Sequence, residues 1–571
     1  MPQKAVFSRL PLLDCIQSPL SNGLVRSDRN ELIQLYNRLN DRPEDPVGWE
    51  GAFSLACLVR EKPMEEPVAG RILSAMAGIV SGNESAVSFP DQIRTARAAL
   101  AVYEYNTDKN ILRQLADWCR MLEAEWDAHV HDRWIRVQPA DLMEFLVRFY
   151  RITGLKAVLR LCARLRAAAM DWTSVLNNFS QRSPLKQLDM EAELKALFSA
   201  DPVTDADYFK TQYLINHAEI LADGMRYCAA SAAYSGSGPE LNAGQKGWEF
   251  LKKYHGAVCG GTTASMLLAG RGADAGIHPA AVAAWTEAMA AQADLAGHPW
   301  AMNELTVLIF NALADCLERL ENVDRFCFVN ALDDSGNRKC MDPEAGAERN
   351  SQVLARLARA AACVWKHAIT AAPDGVRINF LLPGRYMIHT GGQNAIFLAE
   401  KDSVHLRCKG DLTMNLSLFC AATETADIVL QSGEKTDRVL YADEMQDKAG
   451  ILIRVSRTWR NLDTLMFYQG DTIQQKETNH QGVCFFMRNR LMALAVRDSE
   501  YRYAVCGSPE IRGGQAFVPV RRISRWPSAM GVPADIPVLP SGEGETMMAP
   551  LQPYAGIRAR IAVFPRERAH G

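Results

Sequence analysis

Residues 363–380 read CVWKHAITAAPDGVRINF, and the two ends of this stretch obey different periods. Up to about residue 370 apolar positions recur every three to four residues. After Gly375 they alternate, with Val376, Ile378 and Phe380 separated by Arg377 and Asn379. The first spacing lines one face of a helix and the second lines one face of a strand. Pro373-Asp374-Gly375 is the turn between them, so a helical domain ends where a sheet domain begins.

Upstream the helical period persists. Ile111, Leu115, Trp118, Cys119 and Leu122 share one face, as do Leu142, Phe145, Leu146, Phe149 and Tyr150, and later Met302, Leu305, Leu308, Ile309, Ala312 and Leu313. Roughly ten or more such segments follow one another, divided by short breaks such as Asn106-Thr107-Asp108 and Thr153-Gly154. Short links make neighbours antiparallel, and without a fixed sequence repeat the reading is a helical bundle, solenoid or toroid. Downstream, Val404, Leu406 and Cys408, then Met414, Leu416 and Leu418, then Ile451, Ile453 and Val455 alternate with polar residues. They predict an antiparallel β-sandwich. From about Gly507 the chain is rich in Pro and Gly, which suggests a segment laid over the surface before a last strand at Arg558 to Phe564.

Composition narrows the function classes. The 571 residues carry 63 Lys+Arg against 66 Asp+Glu, a net charge of −3, with 48% hydrophobic and 23% charged residues. These values exclude a disordered chain and a nucleic-acid binder driven by bulk charge. No apolar run approaches the ~20 residues of a membrane span. The first residues, MPQKAVFSRLPLLDC, lack the apolar run of a signal peptide, so the expectation is a cytoplasmic protein. The 14 cysteines include no C-x-x-C pair, which leaves reduced thiols as the default.

Few motifs carry chemistry by spacing alone. His129 and His131 point in different directions and make a poor metal pair. Gly260-Gly261-Thr262-Thr263 lacks the Gly-Lys-Ser/Thr ending of a phosphate loop. Trp49-Glu50-Gly51 places an indole beside a carboxylate, a pairing suited to sugar rings, although a buried Trp with a solvated Glu is the plainer reading. Trp134 lies in a second polar and aromatic cluster with Asp132, Arg133, Arg136, Asp141 and Glu144, where Asp141 reads as a helix cap or first-turn acid.

Together these stretches resemble glycoside hydrolase family 127, the β-L-arabinofuranosidases, and in particular its wider group of bacterial relatives. The resemblance is scattered over most of the chain. It runs through Trp49-Glu50-Gly51, Asp171-Trp172-Thr173, His217 with Gly224-Met225-Arg226, and Lys253-Tyr254-His255-Gly256. It continues through Leu268-Ala269-Gly270-Arg271, Gly276, Phe310-Asn311-Ala312-Leu313, Trp365, Arg457-Thr458-Trp459 and Gly482-Val483. It implies a barrel of six helical hairpins, an (α/α)6 toroid, followed by β-sandwich modules, with a sugar site at one mouth of the barrel. It also implies a zinc-held cysteine nucleophile and a glutamate acid/base.

The sequence departs from that pattern where the chemistry belongs. The acidic pair falls on Ser265-Met266, and the Gly-x-Glu-x-Cys stretch on Gly276-Ile277-His278-Pro279-Ala280. The paired cysteines fall on about Glu348-Arg349. A thiolate zinc site needs its sulfurs, so neither zinc nor another cofactor is expected. Substitutes for the catalytic set are Glu50, His278 and Cys340, the last beside Arg338 and Lys339, with Asp141, Glu144 and Glu219 as further carboxylates. Trp49, Trp134, His217, Tyr254 and His255 are the candidate sugar-binding residues.

The expectation is therefore an α+β chain. Residues 1–25 form an N-terminal segment that can pack on the sandwich, 26–370 the toroid with the sugar site, 371–506 the β-sandwich and 507–571 the C-terminal segment. The partner is a small-molecule carbohydrate, neither nucleic acid nor membrane, with a homodimer allowed for. Hydrolysis of a small oligosaccharide or glycoside and a catalytically silent relative that binds a sugar or a protein partner both remain open.

Overall fold

The computed structural model describes residues 25–565 apart from 28, 41–44, 83–86, 186–213, 264–266, 273–275, 296, 321–326, 332–345, 373–374, 391, 422–425, 433–434, 439–443, 448–449, 470–471, 479–481, 497–501 and 524–544. The chain is an (α/α)6 toroid followed by antiparallel sheets. Its inner ring consists of α2 (Pro46–Val59), α4 (Phe89–Asn106), α6 (Ala140–Thr153), α8 (Ala218–Ser235), α10 (Pro279–Asp294) and α12 (Gly346–Ala368). Each packs on the next, and α12 closes the ring on α2. Between them the chain returns through outer helices α1 (Asn30–Asn40), α3 (Pro67–Ser81), α5 (Lys109–Ala124), α7 (Lys156–Ala168), α9 (Gly238–His255) and α11 (Pro299–Leu308).

Sequence pattern separates the two rings. Outer α5 buries Ile111, Leu115, Trp118, Cys119 and Leu122 and leaves its other face to solvent. Inner α10, PAAVAAWTEAMAAQAD, is buried from Pro279 to Gln292, and its alanines let the neighbouring helices come close. The turn signals become caps. Asp45 accepts a hydrogen bond from the Val47 amide at 2.9 Å, and Ser88 accepts one from Asp91. Thr107, Gly154 and Gly236 end α4, α6 and α8 in the left-handed region. Ring closure needs Gly51, because a Cβ there would lie 2.8 Å from the carbonyl oxygen of Ala355 and 2.9 Å from the Ala358 methyl carbon. Gly224 leaves the space that the Trp172 indole fills.

The continuous run of strands begins at Ile369, directly after α12. One sheet runs Val25–Arg26, Gly384–Thr390, Gln393–Ala399, Ser403–Arg407, Thr464–Gln469, Ala426–Ser432, Lys435–Arg438, all antiparallel. The second runs Glu444–Asp447, Gly450–Trp459, Leu412–Ala421, Gly375–Ile378, Ile369–Ala372, with one parallel pair where Gly375–Ile378 lies along Leu412–Ala421. Val376 and Ile378 on one sheet and Phe397, Val404 and Leu406 on the other are buried, as alternation requires.

Where the sequence suggests a segment laid over the surface, the structure has a second β module. Gly482–Met487 and Arg490–Ala495 pair with Ile473–Glu477, Gln552–Pro553, Arg560–Ile561 and Val563–Pro565, and Gln515–Ile523 pairs with Arg502–Val505, Glu510–Arg512 and Met547–Pro550. Phe485, Leu494, Val518, Val520, Leu551 and Phe564 form its separate core. Pro519 lies within the strand QAFVPVRRI, so the alternation there is masked by a residue that usually ends strands.

This module is pinned to the toroid by buried polar groups. Arg560 and Asp315 are both fully buried and form a bidentate pair at 2.7 and 2.9 Å. Asn311, in a π turn that follows α11, donates to the carbonyl of Asn489 at 3.0 Å and accepts from the Leu491 amide at 2.6 Å. Asn330 accepts from the amides of Ala562 and Val563.

Candidate active site

The axis of the toroid is filled by charge. Glu50 projects from α2, Arg97 from α4, Asp141 and Glu144 from α6, and Glu219, Asp223 and Arg226 from α8. Glu287 joins them from α10, and Arg356 and Arg359 from α12. Most sit near the middle of apolar helices, where a lone charge can be buried only with a partner from another helix.

The pairs interlock across the ring. Arg97 grips Glu50 with two hydrogen bonds of 2.8 and 3.1 Å and reaches Asp141 at 2.6 Å. Arg226 donates to the same Asp141 oxygen and lies 3.3 Å from Glu287. Arg359 pairs with Glu287 at 3.1 Å, and Arg356 joins Glu219 at 2.9 Å to Asp223 at 2.5 Å. Asp141 is thus no cap: Pro139 occupies the cap position, and the Asp141 carboxylate turns into the ring between two guanidiniums.

These neighbours set the protonation states. Burial alone would raise the Glu50 carboxyl, but Arg97 and Arg359 outweigh it and hold the pKa at about 2. Burial is likewise overridden at Asp141, where Arg97, Arg226 and Arg359 hold the carboxyl well below its usual range. Both stay ionised at neutral pH and are poorly suited to donate a proton.

On one side the lattice floors a cavity of about 250 Å³. Its wall is completed toward the C-terminal ends of the inner helices by Glu104, Arg148, Arg151, Asp294, Cys363, Lys366 and His367, with the Tyr105 and Tyr386 rings among the lining. Glu144 also faces it, and its Oε2 makes no hydrogen bond among the described residues, although Arg97 and Arg226 lie 3.6 and 3.7 Å from it.

The structure scatters most of the residues singled out from the sequence. Glu50 lines the cavity, while its neighbour Trp49 is 8% exposed and packs into the core. His278 and His217 are N-caps of α10 and α8, at the opposite ends of these helices. The Nδ1 of His278 accepts from the Ala280 amide at 3.2 Å and lies 3.8 Å from Glu219, which links it to the lattice through Arg356. His255 is fully buried at the end of outer α9. Its Nε2 donates to the Gln181 carbonyl at 2.9 Å and its Nδ1 accepts from Gly270 at 3.2 Å. Burial lowers its pKa, so the ring stays neutral and ties the following loop to the helix. Tyr254 packs at a tilt against Phe250 on the same outer helix and is not among the residues lining the cavity. Trp134 belongs to the short helix Arg133–Arg136, but its side chain and all of Cys340 lie outside the described residues.

Where the resemblance implies zinc ligands, the described positions offer no thiolate. Ala280 offers only a methyl group, His278 uses Nδ1 as a helix cap, and among the described residues no three His, Cys, Asp or Glu side chains are grouped as a metal needs. Sequence reasoning missed the arginines Arg97, Arg226, Arg356 and Arg359. Their signal was a lone charge within an otherwise buried helix, as at Glu287 in α10.

No family model matches the sequence, and no curated protein matches it. Solved structures do match in fold along nearly the whole chain. A glycoside hydrolase aligns over 96% of this chain and 97% of its own, with a TM-score of 0.65 and 13% identity. A GH127 β-arabinofuranosidase covers the same shares at 0.61 and 13%. A GH127 β-L-arabinofuranosidase from Geobacillus stearothermophilus T6 aligns over 93% of this chain and 91% of its own, at 0.58 and 11%. The chain has the fold of these GH127 enzymes. No helix among the described residues is long and apolar enough to cross a membrane.

Proposed function

We propose that the protein is a carbohydrate-active relative of the family 127 glycoside hydrolases that takes one small sugar into the lumen of its toroid, in the cytoplasm and without zinc. One observation carries the reading. A cavity lies on the toroid axis, walled by carboxylates and guanidiniums, and the Glu144 carboxylate facing it has an oxygen with no hydrogen-bond partner among the described residues. A sugar presents many hydroxyls to such groups, and the Tyr105 and Tyr386 rings supply apolar surface for a ring face. The volume of about 250 Å³ is below the ~300–1,000 Å³ of drug-sized pockets and suits a single ring rather than an oligosaccharide.

Glycosidic bond hydrolysis needs a carboxyl able to donate a proton and a second group on the other side of the anomeric carbon. Glu144 is the carboxylate assigned to the first role on position, because its Oε2 has no hydrogen-bond partner among the described residues, whereas Glu50 and Asp141 are held ionised by their arginines. That same arginine lock favours a second reading, a silent relative that binds the sugar without cleaving it.

The test is a panel of aryl glycosides and free monosaccharides, β-L-arabinofuranosides included, assayed for turnover and by calorimetry with the wild type and Glu144→Gln. Turnover abolished by E144Q supports hydrolysis. Binding without turnover, weakened roughly tenfold or more by E144Q, supports the silent binder. Neither binding nor turnover by the folded protein overturns both. About one zinc per chain by metal analysis would overturn the zinc-free part.

A further inference from the structure

Cys363, Lys366 and His367 occupy the last turns of α12, and Asp294 is the last residue of α10. They lie at the end of the inner helices opposite to His278 and take no part in the lattice around Asp141. Cys363 and His367 are four residues apart, so one helix face carries both. The Cys363 sulfur is 3.4 Å from Nδ1 of His367, and Nε2 of His367 is hydrogen-bonded to Oδ2 of Asp294.

This is the nucleophile, base and orienting carboxylate order of a thiol hydrolase, assembled from two inner helices. All three side chains line the cavity. Cys363 is half-buried and the Asp294 side chain is 43% exposed, so the group sits where a ligand can arrive. Burial would make His367 less basic, but Asp294 and the Cys363 sulfur outweigh it and hold the imidazole protonated well above its ordinary range. Its Nδ1 also donates to the Cys363 carbonyl at 2.5 Å, so one proton is shared between that oxygen and the sulfur. The other charged groups of this wall are Glu104, Arg148, Arg151 and Lys366, with Glu50, Glu144, Glu287, Arg97, Arg226 and Arg359 on the floor. The Nη2 of Arg151 has no acceptor among the described residues, which leaves a guanidinium beside Asp294 for a developing negative charge.

We propose that Cys363, His367 and Asp294 form a second reactive centre, a thiol nucleophile that accepts the acyl group of a small carboxylic ester admitted to the lumen. In its thiolate form Cys363 attacks the acyl carbon. The carbon–oxygen bond to the alcohol breaks with its electron pair on oxygen, and the His367 imidazolium protonates that oxygen. Water then adds to the thioester, His367 takes the water's proton, and the carbon–sulfur bond breaks to return the thiolate and release the carboxylic acid. This centre needs no glycosidic bond and stands or falls separately from the sugar reading.

The experiment uses the full-length protein with p-nitrophenyl acetate and, in parallel, limiting iodoacetamide over pH 5 to 9, both read by peptide mass spectrometry. The expected result is a burst of about one nitrophenolate per chain with the acetyl group on Cys363, which iodoacetamide also labels before the other cysteines. His367→Gln should slow both reactions roughly 100-fold, and Asp294→Asn should shift the pH profile of labelling, which loss of packing alone would not do. Cys363 labelled no faster than the half-buried Cys408, with no acetyl adduct in the wild type, would overturn the proposal. An unchanged rate in a folded H367Q variant would do the same.

Discussion

Two regions of this molecule bury arginines with carboxylates, and they do so in opposite ways. At the junction with the second β module, Arg560 meets Asp315 almost alone and both are fully buried. Asp315 is also reached by Arg319 and by the Gly556 amide at 3.2 Å, and the Tyr554 ring covers the guanidinium of Arg560 at 3.7 Å. In the lumen, Arg97, Arg226, Arg356 and Arg359 share Glu50, Asp141, Glu144, Glu219, Asp223 and Glu287, and the group borders an open cavity. The junction is a latch in which both carboxylate oxygens of Asp315 are held by Arg560. The lumen is a mesh with alternatives, and a mesh can lose one hydrogen bond to a ligand without leaving a charge stranded. A dry pair fixes one geometry, whereas a shared set beside a cavity is the arrangement expected of a binding site.

Breaking the latch should have the largest effect. Arg560→Met leaves the buried Asp315 with Arg319 and the Gly556 amide but without its bidentate partner, and removing one partner of a buried pair costs about 3–5 kcal/mol. Urea melts followed by tryptophan fluorescence should show this loss, and the double variant D315L/R560M should recover most of it. A loss below about 1 kcal/mol would mean that the junction is no tighter than a surface pair.

Acid should act on the lumen next. The Glu50 pKa falls from an ordinary 4.5 to about 2 on folding. A carboxyl depressed in this way contributes stability that is present above pH 4.5 and lost as pH falls from there toward 2. At 1.36 kcal/mol per unit the contribution is about 3 kcal/mol. Stability measured in urea at pH 7, 5, 4 and 3 should therefore fall less steeply for Glu50→Gln than for the wild type. Parallel curves would place Glu50 outside the mesh.

Within the mesh a single arginine should matter less than Arg560 does. Arg226→Met removes one partner of Asp141 but leaves Arg97 at 2.6 Å and Arg359 at 3.8 Å, so the expected loss is about 1–3 kcal/mol. If this variant proves as costly as R560M, the lumen is a second latch and its claim to be a site weakens.

The same contrast explains what the sequence could reveal. Local rules sufficed for the order of helices and then strands, but they left bundle, solenoid and toroid open and missed the strands of the second β module. The change of period across CVWKHAITAAPDGVRINF marks the passage from α12 into the sheets, and the apolar face of α5 is the one its spacing predicts. The mesh depends on partners far apart in the chain, such as Glu50 with Arg359 and Asp141 with Arg226, and no local pattern pairs them. Asp141 is the first-turn acid that its position suggests, but the guanidiniums that claim its carboxylate lie on other helices. His255 follows the same logic in reverse: its place in a quoted motif suggested a ligand, yet its partners are the backbone of Gln181 and Gly270. The chemical identity of each residue was visible, but ring closure decided which residues meet.

The smallest effect on stability is the one that bears most on function. Glu144 lies 3.6 and 3.7 Å from Arg97 and Arg226, too far to hydrogen-bond through Oε2, so Glu144→Gln should cost at most about 1 kcal/mol in the same melts. The amide keeps the shape of the carboxyl and removes only its charge and its ability to give and take a proton. If the cavity is a site, this near-silent change should still weaken sugar binding or stop turnover, because a ligand hydroxyl supplies the partner that Oε2 lacks. A large loss of stability would instead place Glu144 among the structural members of the mesh, and the difference between lumen and junction would then be one of partner number rather than purpose.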